Sequence, residues 1–290
     1  MLRLAILCFL MLATAARAAE APRRVASFNL CADQLVLALA DPGQIAGVST
    51  FASDPELSVM AERAKAFRTL DQRSEATVAL QPDLVLVGPN DRPTIRRALT
   101  RLGLHVEEVG LVSDLASVRA QVRSMAERLG HPERGAALNA AIDAARVRLV
   151  AAAGGKKRTA LVVERQGYTA GPDSLIVNLL REAGLVLPGG APSGLGGFVP
   201  LERLLQIDPD VLVLYEATEG ATDQGALFLS HPALEARFPP ERRLMVPRRL
   251  ALCGGPSVVA ALDFLTRLVR APPPLRTFTQ APSASPSTTR

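Results

Sequence analysis

A thirteen-residue phrase that occurs twice constrains this chain more than any other feature. The first copy, EATVALQPDLVLV, runs from Glu75 to Val87; the second, ERLLQIDPDVLVL, starts 127 residues later at Glu202 and ends at Leu214. In both, the glutamate stands seven residues before a proline that is followed by aspartate. Each copy reads as an acidic helix start, a short amphipathic helix, a break at Pro-Asp and a strand. The acid suits the positive end of the helix dipole. The unalternating apolar run after Pro-Asp is what a parallel strand covered on both faces requires. One such phrase is ordinary in an α/β chain. Two, placed on either side of a stretch with no strand signal, imply two similar lobes.

That stretch runs from Ser113 to Ala153. Leu115, Val118, Val122, Met125 and Leu129 form one helical stripe that ends at Gly130. Pro132 then suits a first helical position, where its missing N–H is no loss. Nothing but Gly135 interrupts the helix before Gly154-Gly155. Roughly 20 residues at 1.5 Å each make a rod of about 30 Å. The expected organisation is therefore an N-terminal α/β lobe over 22–130, an inter-lobe helix over 131–155 and a C-terminal α/β lobe over 156–270.

Within the first lobe, strands are expected at Arg24–Phe28, Gln44–Thr50, Asp83–Gly88 and Val106–Val109, with helices at Ala32–Ala40 and Arg92–Leu102. The second lobe restarts the rhythm with strands at Thr159–Glu164, Val211–Tyr215 and Leu244–Pro247, and helices at Ser174–Ala183, Glu202–Gln206 and Pro256–Val269. This βαβ alternation predicts largely parallel, Rossmann-like sheets. The glycine-rich stretch Gly189–Gly197 reads as a loop. Residues 271–290, rich in Pro, Ser and Thr, read as a disordered tail.

The N-terminus addresses the compartment. Arg3 is followed by an apolar run, Leu4 to Ala13, too short to span a bilayer. Ala16 and Ala18 then supply small residues for cleavage, so residues 1–18 read as a secretory signal peptide and the mature protein as exported to the periplasm. The chain of 290 residues carries a formal charge of +5, which falls to +3 when residues 1–18 are removed with their two arginines. The basic residues are scattered and lack interleaved stacking aromatics, so nucleic acid is not an expected partner. Export leaves two cysteines, Cys31 and Cys253, in an oxidising compartment.

No phosphate-binding, dinucleotide, nucleophile-elbow or zinc-protease motif is present. His105, His131 and His231 lie outside metal spacings, and His131 and His231 stand at helix boundaries. The sequence predicts no enzyme and no resident metal or cofactor.

The doubled phrase, together with RRVASFNLCADQLVLAL, IAGVST, LGLHVEEVG, GGFVPLERLLQIDPDVLVL and FLSHPALEA, resembles the periplasmic substrate-binding proteins of ABC importers for iron–siderophore complexes, cobalamin and haem. The resemblance covers nearly all of the mature chain. It implies the class III architecture of this group, in which two α/β lobes are joined by one long helix around a cleft and close little on binding. It also implies a monomeric receptor that hands a metal chelate, a ferric siderophore or cobalamin-like corrinoid, to a dimeric permease in the inner membrane. The iron or cobalt is cargo. A haem receptor and an extracytoplasmic sensing module are the alternative readings.

In such lobes ligands gather at the carboxyl ends of strands and at the helix starts that follow. That rule selects Asn29 and Cys31 after the first strand, Phe51 after the second and Asn90 after the Asp83–Gly88 run. In the second lobe it selects Arg165, Tyr168, Glu216, Arg248 and Cys253. Tyr168 offers a flat amphipathic surface, and Arg165 and Arg248 suit acidic ligand groups. Three readings of Cys31 and Cys253 stand side by side: a cross-cleft disulfide, thiolate ligands or two small apolar residues. By the resemblance, Glu75 and Glu202 are the permease-docking residues, one per lobe.

Overall fold

The structure is a computed structural model and describes residues 20–70, 74–89, 93–215 and 224–270. The expected signal peptide and tail lie outside the described residues. In the first half, β1 (Val25–Ser27), β2 (Ile45–Ser49), β3 (Thr69–Leu70), β4 (Leu84–Val87) and β5 (Val106–Glu108) form one parallel sheet, ordered β3-β2-β1-β4-β5. The helices of this half are α1 (Leu30–Leu39), α2 (Ala61–Ala64), α3 (Ser74–Ala79) and α4 (Pro93–Arg101).

Two helices lead out of the first half. These are α5 (Leu115–Leu129), capped by the Asp114 side chain on the Ser117 amide, and the 22-residue α6 (Pro132–Ala153). At 1.5 Å per residue α6 is about 33 Å long. It buries a narrow stripe of Ile142, Ala145, Leu149 and Ala153. The expected helix is thus present within one to two residues at each end. His131 caps its start without a side-chain hydrogen bond of its own to the helix, and its ring lies 2.9 Å from Gln44 Oε1.

In the second half, β6 (Arg158–Val162), β8 (Leu185–Val186), β10 (Val211–Tyr215) and β11 (Arg243–Val246) form a second parallel sheet, ordered β11-β10-β6-β8. A separate antiparallel pair joins β7 (Tyr168–Ala170) to β9 (Gly196–Phe198). The remaining helices are α7 (Leu175–Glu182), α8 (Leu201–Ile207), α9 (Gln224–Leu229), α10 (Pro232–Arg237) and α11 (Pro256–Arg270). The pair corrects the sequence reading of Gly189–Gly197 as a loop. Gly196 and Gly197 lie in β9, where side-chain-free backbone packs against Thr169 and Ala170, and glycine there carries no strand signal. The short β3 and β8 were equally silent.

The repeated phrase does the same structural work twice. In the first half, Leu84 and Leu86 join one core cluster while Val85 and Val87 join another on the opposite face. In the second half, Val211 and Val213 join that first cluster, and Leu212 and Leu214 face the far side. Each apolar run is therefore covered on both faces, as its lack of alternation predicted. The Pro-Asp aspartates hold the neighbouring strand. Asp83 accepts from the amides of Arg23 at 2.6 Å and Arg24 at 2.9 Å, just before β1. Asp210 accepts from the amide of Thr159 at 2.7 Å and its hydroxyl at 2.8 Å, at the start of β6. In each sheet the aspartate pins the strand that pairs with its own.

The largest core cluster is shared by both halves, running from Leu35 and Leu86 through Ile142 and Leu149 to Val162, Val213 and Leu262. Among the described residues no helix is long and apolar enough to cross a membrane.

Candidate functional site

Strand order locates the crevices. In the first sheet β1 has β2 on one side and β4 on the other, so the chain reverses direction across the sheet at the end of β1. In the second sheet β6 is flanked in the same way by β8 and β10. Ligands of open parallel sheets sit outside the carboxyl ends of strands at such reversals. Asn29 and Cys31 follow β1, while Glu164, Arg165 and Tyr168 follow β6.

At the first reversal Asn29 is the N-cap of α1, its Oδ1 accepting from the amides of Cys31 at 2.9 Å and Ala32 at 3.3 Å. This cap starts the helix at Leu30, two residues earlier than the sequence suggested. Asp33, fully buried in the first turn, accepts from the Ser49 amide at 3.1 Å and from the Ser49 hydroxyl at 2.5 Å. The same hydroxyl accepts from the Phe51 amide at 3.2 Å. The buried carboxylate thereby fixes the turn that presents Phe51, whose ring is 43% exposed although large and apolar.

At the second reversal the chain turns back on itself. The Glu164 amide donates to the Tyr168 carbonyl at 2.7 Å, and Val163 bridges Thr169. Arg165 and Gln166 are exposed at the tip of this turn, Gln166 with a φ of 59°. Tyr168 meets Phe198 edge to face at 5.5 Å between ring centroids, and its hydroxyl donates to the Leu195 carbonyl at 3.3 Å. Leu195 and Phe198 are themselves exposed, at 54% and 70%.

Charges converge here. Burial pushes the Glu164 carboxyl above its ordinary range, and the positive charge of Arg248 opposes the rise. Burial also drives the Tyr215 phenol far up, with the negative charge of Glu164 adding to the effect and Arg248 again opposing it. Glu164, Arg248 and Tyr168 all bear on Tyr215, and Arg248 on Glu164, beyond the carboxyl ends of β6, β10 and β11.

The two halves are joined through sulfur. Cys31 and Cys253 form a disulfide, with Cα atoms 5.1 Å apart across 222 residues of chain. Of the three readings of these cysteines the structure realises the bridge; both sulfurs are consumed, so neither is a thiolate ligand. The bridge joins the segment that follows β1, which carries Asn29, to the segment that follows β11, which carries Arg248. Phe51 is tied to the same helix through Ser49 and Asp33. Asn90 and Glu216 lie outside the described residues. Glu202 is exposed in the first turn of α8. Glu75 falls in α3, but its side chain lies outside the described residues. Among the described residues no three His, Cys, Asp or Glu side chains are grouped to hold a metal ion. Sequence reasoning missed Asp33, Ser49, Glu164 and Phe198; only the apolar Phe198 next to two glycines carried any signal.

The chain belongs to the periplasmic binding protein family, whose model matches residues 25–236. Proteins of this family are solute receptors, not enzymes. Among solved structures, a periplasmic haem-binding protein from Pseudomonas aeruginosa is 21% identical, with a TM-score of 0.69 over 92% of this chain and 96% of that one. An ABC-type Fe3+-hydroxamate transport protein from Saccharomonospora viridis is 22% identical, with a TM-score of 0.68 over 87% of this chain and 94% of that one. The vitamin B12 binding protein of Vibrio cholerae is 14% identical, with a TM-score of 0.61 over 86% of this chain and 98% of that one. No curated protein matches the chain in sequence.

Proposed function

We propose that this chain is the exported receptor of an ABC importer and carries a metal chelate between its two lobes, as a monomer released from its signal peptide after residue 18. The observation that carries this reading is the grouping of Tyr168 with the exposed Leu195 and Phe198 just beyond the carboxyl end of β6, where the charge of Arg248 also reaches Glu164. Leu195 and Phe198 offer exposed apolar surface beside the half-buried Tyr168 to a ring or chelate body, and Phe51 offers another face from the first lobe. Arg165, three residues before Tyr168, and Arg248, whose charge reaches Glu164 and Tyr215, are both exposed and suited to carboxylate or other acidic groups at a ligand's edge. Solved structures of the same fold are described as haem, ferric-hydroxamate and vitamin B12 binders, which supports a metal-bearing cargo without choosing among them. A ferric siderophore or a corrinoid is the first reading. Haem is the second, favoured by the arginines flanking aromatic faces.

The test is calorimetric titration of the mature protein with haemin, cyanocobalamin and ferrichrome. One of them binds with a Kd of 1 μM or tighter, about −8 kcal/mol. Arg248→Ala weakens that binding by about tenfold or more, as loss of a charge-assisted contact does. Absence of heat and of thermal stabilisation with all three sinks the reading. Docking of the permease through Glu75 and Glu202 belongs to the same proposal. Reversing both to Arg leaves chelate affinity intact and abolishes transport in reconstituted vesicles, since rim charges govern association more than folding.

A further inference from the structure

The Cys31–Cys253 bridge joins the segment after β1 to the segment after β11. Cys31 is the second residue of α1, directly behind the Asn29 cap. Cys253 follows Arg248 by five residues, and Leu252 between them is exposed. The backbone beyond the sulfur is also wedged into the first half. A methyl group on Gly254 would stand 3.1 Å from Val112 and 3.4 Å from Val118, and one on Gly255, whose φ is +70°, would stand 2.8 Å from Leu35. Val112, Val118 and Leu35 all precede the long helix. The Ser257 hydroxyl then donates to the carbonyls of Cys253 at 2.5 Å and Gly254 at 3.1 Å, fastening the segment to the start of α11. A covalent bond and a glycine-permitted close contact therefore hold the same segment of the second half against the first.

We propose that this knot is a positioning device: it sets the spacing between the wall of Asn29 and Phe51 and the wall of Tyr168 and Arg248 before any ligand arrives. This rests on the cleft being a chelate site. Walls held at one spacing lose little freedom on binding, and they penalise ligands too thick or too thin for the gap. The bridge thus contributes affinity for the cognate chelate and, above all, selectivity among chelates, without touching the reacting or liganding atoms.

The experiment compares oxidised wild type, wild type reduced under native conditions with a phosphine, and the double variant Cys31→Ser/Cys253→Ser. Each is titrated with haemin, cyanocobalamin and ferrichrome, and hydrogen exchange is followed at 30–39 and 248–262. In folded protein lacking the bridge, the best probe binds about tenfold more weakly, its margin over the next best narrows, and exchange in both segments accelerates. Unchanged affinities and unchanged exchange overturn the proposal. Gly254→Val keeps the bridge but pushes the segment off Val112 and Val118. Its best-probe affinity falls about fivefold with the disulfide intact, and an unaltered affinity there also counts against the device. If no probe binds any form, the chelate reading falls, while faster exchange in the two segments upholds the positioning role and equal exchange refutes it.

Discussion

Asp33 is the clearest case of a residue whose role its sequence context hides. An acid in a first helical turn reads as a partner of the helix dipole. In the folded chain it is buried and spends both oxygens on Ser49, which in turn holds the Phe51 amide. Asp33→Ala leaves those donors unpaired, so stability falls by about 2–3 kcal/mol in urea denaturation, and chelate affinity falls with it as Phe51 loses its fixed turn. Normal affinity in a folded variant would separate Asp33 from the site. Asn29 was singled out only as a ligand candidate after β1; its work as the cap that starts α1 at Leu30 went unread, although a side-chain acceptor between a strand and an apolar helix suits a cap. Glu164 gives a pH signature. Its carboxyl titrates higher in the folded chain than in the unfolded one, mainly through burial. Between those two values the folded state holds the extra proton, so this residue lowers stability as pH rises through the window. Glu164→Gln therefore raises Tm at pH 7, by about 1–2 °C given its partial exposure, and the gain vanishes near pH 4. Calorimetry at the two pH values checks it; a gain that persists in acid contradicts the assignment.

At the scale of elements, β1, β2, β4, β5, β6, β10 and β11 all lie within a residue or two of where the sequence put them, the uninterrupted apolar runs of β4, β6 and β10 most plainly. Burial on both faces leaves no choice of residue type, so the fold writes itself into composition. The β7–β9 pair and the two-residue strands were not legible, because glycine backbone contacts and edge pairings impose almost no side-chain pattern. The aspartates of the repeated phrase were legible as a break but not as clamps. Asp83→Ala and Asp210→Ala each remove two hydrogen bonds at the head of a neighbouring strand, and each costs about 1–2 kcal/mol. Because they serve different sheets, the double variant shows the sum of the two losses within about 0.5 kcal/mol. Urea midpoints at constant slope measure this, and a marked shortfall would mean that the two sheets communicate through their strand heads.

For the whole molecule, two sheets do not make two folding units. Leu86, Ile142, Leu149, Val162 and Leu262 belong to one cluster, so neither half can unfold without stripping apolar surface from the other. Thermal unfolding is expected as one transition, with calorimetric and van't Hoff enthalpies equal. Two resolved transitions would show the halves to be independent. The disulfide adds to this unity: closing a loop of 222 residues is worth about 5 kcal/mol in the chain-entropy model. The same span has a consequence in time. A ribosome moving at roughly 5–20 residues per second needs about 10–45 s to go from the Cys31 codon to the Cys253 codon. Throughout that interval the sulfur is unclaimed, and from Glu108 onward it is so while the first half has its sheet-forming sequence complete, so each newborn molecule passes through a stage in which Cys31 is open to any other thiol or disulfide it meets. Correct pairing is therefore a matter of keeping that sulfur reversible until the last 38 residues, which begin with Cys253, arrive.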